Sequence, residues 1–78
     1  MSQSLEEALD ETTPSERLRE LAISSQVKTR IAVAQNANTP VDVLIKLFSE
    51  VPLHVLNNPV IPLLLLENPC LFEDLLSL

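Results

Sequence analysis

Six prolines and no glycine in 78 residues constrain this chain more than any other feature of it. Proline lacks an amide donor and clashes with the turn before it, so Pro14, Pro40, Pro52, Pro59, Pro62 and Pro69 mark places where a helix can begin but cannot have been running. The chain is therefore cut into short pieces. The missing glycine excludes phosphate-cradling loops and dinucleotide fingerprints, because those turns need a backbone approach that a Cβ blocks.

Between the prolines, apolar residues recur at helical spacing. Thr13-Pro14 opens a first segment, with Thr13 expected as N-cap, Pro14 at the first helical position and Glu16 completing a capping box. Leu18, Leu21 and Ala22 share one face of it. Gln26 to Gln35 reads as a second helix with Val27, Ile31 and Ala34 as its stripe and Lys28, Arg30 and Gln35 toward water. Asn36-Ala37-Asn38 is a break. Thr39-Pro40 then opens a helix that buries Val41, Leu44, Leu47 and Phe48, with Asp42, Lys46 and Glu50 outside. Beyond Pro52 the pieces shorten: LHVLN is one or two turns, Asn58-Pro59 is a second cap-and-start pair, Pro62 opens LLLLE, and Asn68-Pro69 opens CLFEDLLSL. No run sustains β alternation, and the prolines would interrupt a central sheet, so the expected class is all-α. Helices this short are marginal alone and must stack.

The formal net charge of -6 disfavours nucleic acid and anionic membrane as partners, since both are held largely by Lys and Arg. Acid is concentrated early: residues 1–26 hold six acids against Arg17 and Arg19, whereas residues 51–78 hold three acids and no base. The acidic start, where an export signal would be positive and then apolar, predicts no export signal. The most apolar stretch, Val51 to Leu66, is interrupted by three prolines and is shorter than the run of about 20 apolar residues that a membrane span needs. A single cysteine cannot make an internal disulfide and fits a reducing, cytoplasmic location.

The chain also repeats itself. Thr13-Pro14 with Leu18 and Leu21 superposes on Thr39-Pro40 with Leu44 and Leu47 at a displacement of 26 residues, and Pro40 with Leu44 superposes on Pro62 with Leu66 at 22. The preceding residues agree in character, IAVAQN at 31–36 against LHVLNN at 53–58. These periods lie in the band of short solenoid repeats.

One stretch carries a resemblance. TRIAVAQNANTPVDVLIKLF, Thr29 to Phe48, resembles the leucine-rich repeat variant, a short bacterial repeat whose pattern runs Arg-x-x-Val-Ala-x-Asn-Pro-x-Thr-Pro-x-x-x-Leu-x-x-Leu. Ala37 stands where the pattern has its first proline, and the likeness covers Pro14 to Leu66, about two repeats. The resemblance implies a right-handed superhelix of alternating α- and 3₁₀-helices without strands, a solenoid-like helical repeat that binds proteins. One relative in that family carries an iron–sulfur cluster, which requires several cysteines that Cys70 alone cannot supply. The domain expectation is one unit over 1–78, with an acidic helix or cap at 1–12, the repeats at 13–66 and an apolar C-terminal helix or cap at 67–78.

Candidates for chemistry are sparse. His54, the single histidine, lies among apolar neighbours and reads as a partly buried side chain rather than a base. Cys70 could be activated at a helix start, but it reads more simply as a small hydrophobe packed under Leu71 and Phe72. The adjacent carboxylates Glu6/Glu7, Asp10/Glu11 and Glu73/Asp74 splay around a helix rather than converge. Asn36, Asn58 and Asn68 either line a binding surface or, as the better reading, act structurally by tolerating left-handed dihedrals and capping helices. The sequence thus predicts no catalytic residue, metal or cofactor, and a non-enzymatic protein-interaction module. Two contact surfaces are expected: Glu6, Glu7, Asp10 and Glu11 facing a basic partner, and an edge of Leu75, Leu76 and Leu78. The alternative is a structural end piece that stacks through that edge on a copy or on further repeats.

Overall fold

A computed structural model describes residues 3–71, which hold six α-helices and no strand. They are α1 (Gln3–Leu9), α2 (Ser15–Leu21), α3 (Val27–Gln35), α4 (Val41–Phe48), α5 (Pro52–Leu56) and α6 (Ile61–Glu67). None of them is long and apolar enough to cross a membrane. The expected Leu75, Leu76 and Leu78 edge, with Phe72, Glu73 and Asp74, lies outside the described residues.

Proline placement explains most of the helix starts, with one correction to their chemistry. Pro14 and Pro40 are extended, at φ -64°, ψ 152° and φ -61°, ψ 150°, and stand one residue before α2 and α4 rather than inside them. Their carbonyls accept the first helical bonds, from Arg17 and Leu18 in α2 and from Val43 and Leu44 in α4. No side chain caps either helix, so the expected capping box at Thr13 and Glu16 does not form. A residue before proline is driven to extended geometry, and the two threonines turn their hydroxyls backward instead. Thr13 Oγ1 donates to the Glu7 carbonyl and Thr39 Oγ1 to the Val33 carbonyl, each at 2.6 Å and each six residues back. Each threonine therefore locks its helix to the one before it. Pro52 and Pro62 do sit in the first turns of α5 and α6, whereas Asn58-Pro59 forms a turn and starts no helix.

The helices that the resemblance implies as 3₁₀ are α throughout the described residues. Their amides reach four residues back, as in Leu18 to Pro14, Arg30 to Gln26 and Val55 to Val51.

Packing is organised around α3, which touches α1, α2, α4 and α5. A helix with neighbours on several sides buries a wide arc rather than a stripe. Thr29, Ala32, Val33 and Ala34 are buried, while Val27, expected inside, is half exposed. Small side chains here let helix axes approach closely. In α4 the buried set is Val43, Leu44, Leu47 and Phe48, and Val43 takes the place predicted for Val41. Leu18, Leu21, Val55 and Ile61 complete the core with Ala8.

In sequence register the helices align as three successive pairs, α1/α2, α3/α4 and α5/α6, and the displacement of 26 now includes α1. Glu7, Ala8, Asp10, Thr13 and Leu18 stand in the first pair where Val33, Ala34, Asn36, Thr39 and Leu44 stand in the second. With a step of 22, Val55, Leu56, Asn58, Ile61 and Leu66 take those places in the third.

Candidate functional site

One asparagine per junction joins the pairs. Asn36, in the loop between α3 and α4, donates from Nδ2 to the carbonyls of Ala8 and Asp10 at 2.9 Å each. Asn58, between α5 and α6, donates in the same way to Ala34 at 2.9 Å and to Asn36 at 2.8 Å. Each Oδ1 meanwhile accepts the amide two residues on, from Asn38 and from Val60, at 2.9 Å. All three polar functions of a buried carboxamide are thus used, which is what makes its burial tolerable. Asn38 adds further bonds between the first two pairs, from Nδ2 to the carbonyls of Glu11 and Thr13, and its own carbonyl accepts from Ser15 Oγ.

This geometry corrects the reason given for the asparagines. No described residue has positive φ, and Asn36 is extended at φ -83°, ψ 128°. Asparagine is needed here for an amide that donates twice and an oxygen that accepts once. Asn68 repeats only the local half, its Oδ1 accepting the Cys70 amide at 3.3 Å. Cys70 is exposed rather than packed as a hydrophobe, because it sits in the turn that follows α6 while Leu71 takes the place against the core.

The predicted acidic surface divides into two parts. Glu6, Asp10 and Glu11 are exposed. Glu7 is half-buried and takes a bidentate pair from Arg17, Nε to Oε2 at 3.0 Å and Nη2 to Oε1 at 2.9 Å, tying α1 to α2. The Arg17 hydrogen bonds hold the Glu7 carboxyl below its ordinary range. Asp10 Oδ1 accepts the Thr12 amide at 2.8 Å and the Thr12 hydroxyl at 2.7 Å, which lowers the Asp10 pKa. Farther along, Arg19 pairs with Asp42 between α2 and α4, and Arg30 with Glu50 at 2.8 Å. Arg19 lowers the Asp42 pKa first through its hydrogen bond and then through its charge.

Polar chemistry elsewhere is thin. A surface pocket of about 450 Å³ lies beside the Asn36 junction, lined by Leu9, Glu11, Gln35, Asn38 and Pro59 among others. His54 is half-buried with Nδ1 3.2 Å from Gln35 Nε2. Among the described residues no three His, Cys, Asp or Glu side chains gather as metal ligands.

Exposed apolar side chains include Leu9, Ile23, Val27 and Val41 earlier in the chain, and four more lie on α5 and α6. Leu66 is 80% exposed, although the residues in its place in the first two pairs, Leu18 and Leu44, are 0% and 1% exposed. Leu56 is 45% exposed where Ala8 and Ala34 are fully buried, and Leu53 and Leu63 stand out beside them in sequence at 73% and 61%. Sequence periodicity could not find this surface, since it assigns Leu66 the environment of Leu44. The missing signal is that nothing among the described residues follows the third pair as the third follows the second.

Comparison with known proteins leaves the geometry to speak for itself. No family model, no curated protein and no solved structure matches the chain.

Proposed function

We propose that this chain is a non-enzymatic protein-interaction module, built as a short solenoid-like helical repeat of the leucine-rich repeat variant type and working in the cytoplasm, whose α5–α6 end binds a protein partner. One observation carries the reading: Leu66, equivalent in register to two buried leucines, is left 80% exposed, and Leu53, Leu56 and Leu63 of α5 and α6 are exposed as well. A contiguous exposed apolar patch marks a contact surface. The exposed carboxylates Glu6, Asp10 and Glu11 near the chain's start would guide a basic partner by charge, which affects association rate more than affinity. The resemblance of Thr29–Phe48 to the repeat pattern, the recurring junctions and the single cysteine support the architecture and the compartment.

The test is affinity capture from the source cell with the full chain and two variants as bait. Leu66→Glu is expected to lose the partner and Glu6→Lys/Glu11→Lys to keep it at reduced rate. Recovery of the same proteins by the wild type and by Leu66→Glu would count against the α5–α6 end. Capture of nothing by the wild type would count against an interaction module.

A further inference from the structure

The junctions recur with one telling exception. Each pair offers two carbonyls to the asparagine of the pair that follows: Ala8 and Asp10 to Asn36, then Ala34 and Asn36 to Asn58. The corresponding carbonyls of the third pair are Leu56 and Asn58. Asn58 O accepts the Ile61 amide at 3.1 Å, as Asn36 O accepts that of Thr39 and Asp10 O that of Thr13. In the first two cases the carbonyl takes an asparagine amide as well. Among the described residues the Asn58 carbonyl takes none, and Leu56, whose carbonyl is its counterpart, is 45% exposed.

At the opposite end the equivalent of Asn36 and Asn58 is Asp10. Its Oδ1 makes the same local bond as theirs, to the amide two residues on. Where they carry an NH₂ directed at the preceding pair, Asp10 carries a second carboxylate oxygen. That oxygen cannot donate, and against two carbonyls it would be an anion stripped of water and facing acceptors, which disfavours the contact. The lowered pKa of Asp10 keeps it anionic at neutral pH.

We infer that the α5–α6 end receives a further helix-pair unit of the same kind, whose asparagine carboxamide donates to the carbonyls of Leu56 and Asn58, and that Asp10 bars a second copy of this chain from that place. The occupant follows from continuity: at both internal junctions the equivalent two carbonyls are taken by the asparagine of the unit that follows. It must leave room for the Leu56 side chain where its predecessors meet a methyl group. Because this contact is head-to-tail, a chain with asparagine at the first junction would grow into open assemblies instead of closing as a dimer. Asp10 prevents that. The inference rests on reading the α5–α6 end as the binding face and names what that face accepts.

Two full-length probes test it. D10N/L66E supplies a donor amide and has its own acceptor end blocked, and L66E alone has the block without the amide. Each is titrated into the wild-type chain and followed by sedimentation velocity, with helicity and melting checked by circular dichroism. D10N/L66E is expected to form a 1:1 complex with the wild type, at least about tenfold tighter than L66E does. The single variant D10N is expected to show mass rising past the dimer with concentration. Equal binding by both probes would overturn the role of Asp10. Absence of a complex from properly folded D10N/L66E would overturn the inference while leaving the proposed function to the capture experiment, which uses a different partner and readout.

Discussion

Asn58 shows how much one side chain carries in a molecule this small. It is 1% exposed, and its amide and oxygen satisfy two carbonyls of the preceding pair and one amide of its own loop. Asn58→Ala removes three hydrogen bonds, leaving the Ala34 carbonyl without this donor and the Asn36 carbonyl with the Thr39 amide alone, so it is expected to cost about 2–4 kcal/mol in urea unfolding. Asn68 has the same residue type and the same local bond, yet it is exposed. Asn68→Ala is expected to stay within about 0.5 kcal/mol, and a comparable loss at both positions would defeat the account of the junctions. The sequence did identify these asparagines as structural. It misassigned the cause, because a glycine-free chain suggests that Asn serves for positive φ, whereas every described φ is negative. Local pattern reveals backbone conformation and conceals a donor aimed 22 to 28 residues away.

At the scale of elements, helix starts were legible because proline acts locally. The breaks at 14, 40, 52 and 62 all coincide with a helix beginning within one residue. Which face each helix buries was legible where one side meets the core, as for Leu44, Leu47 and Phe48 in α4, and not where neighbours surround the helix, as for α3. Equivalence in sequence also fails to carry environment. Leu44 and Leu66 hold the same place after Pro40 and Pro62, but one has a following pair and the other has none among the described residues. Leu44→Ala is therefore expected to destabilise by about 3 kcal/mol through lost burial and a residual cavity. Leu66→Ala should change stability by less than about 0.5 kcal/mol. Equal melting temperatures for the two variants would contradict the assigned burial.

For the whole molecule, acid is the condition that should loosen the fold first. Glu7, Asp10 and Asp42 all have pKa values lowered in the folded chain, chiefly by hydrogen bonds from Arg17, Thr12 and Arg19 respectively. A carboxylate with a depressed folded pKa contributes stability that is fully present above its unfolded value and is lost as pH falls through the folded one. Melting temperature should thus hold level from neutral pH down to the ordinary carboxylate range and fall below it. Because Glu7 ties α1 to α2 and Asp42 ties α4 to α2, the double variant Glu7→Gln/Asp42→Asn should start lower and fall less steeply. A wild-type melting temperature that rises as pH drops through that range would refute the assignment.

The carboxamide bonds at the junctions share one direction, and that has a consequence for how the protein is made. In every case the carbonyls belong to the earlier pair and the carboxamide to the later one. A ribosome releases Ala8 and Asp10 before Asn36, and Ala34 before Asn58, so each acceptor template has emerged before its donor. The nascent chain can wait with solvated carbonyls at its growing edge and add pairs in the order of synthesis.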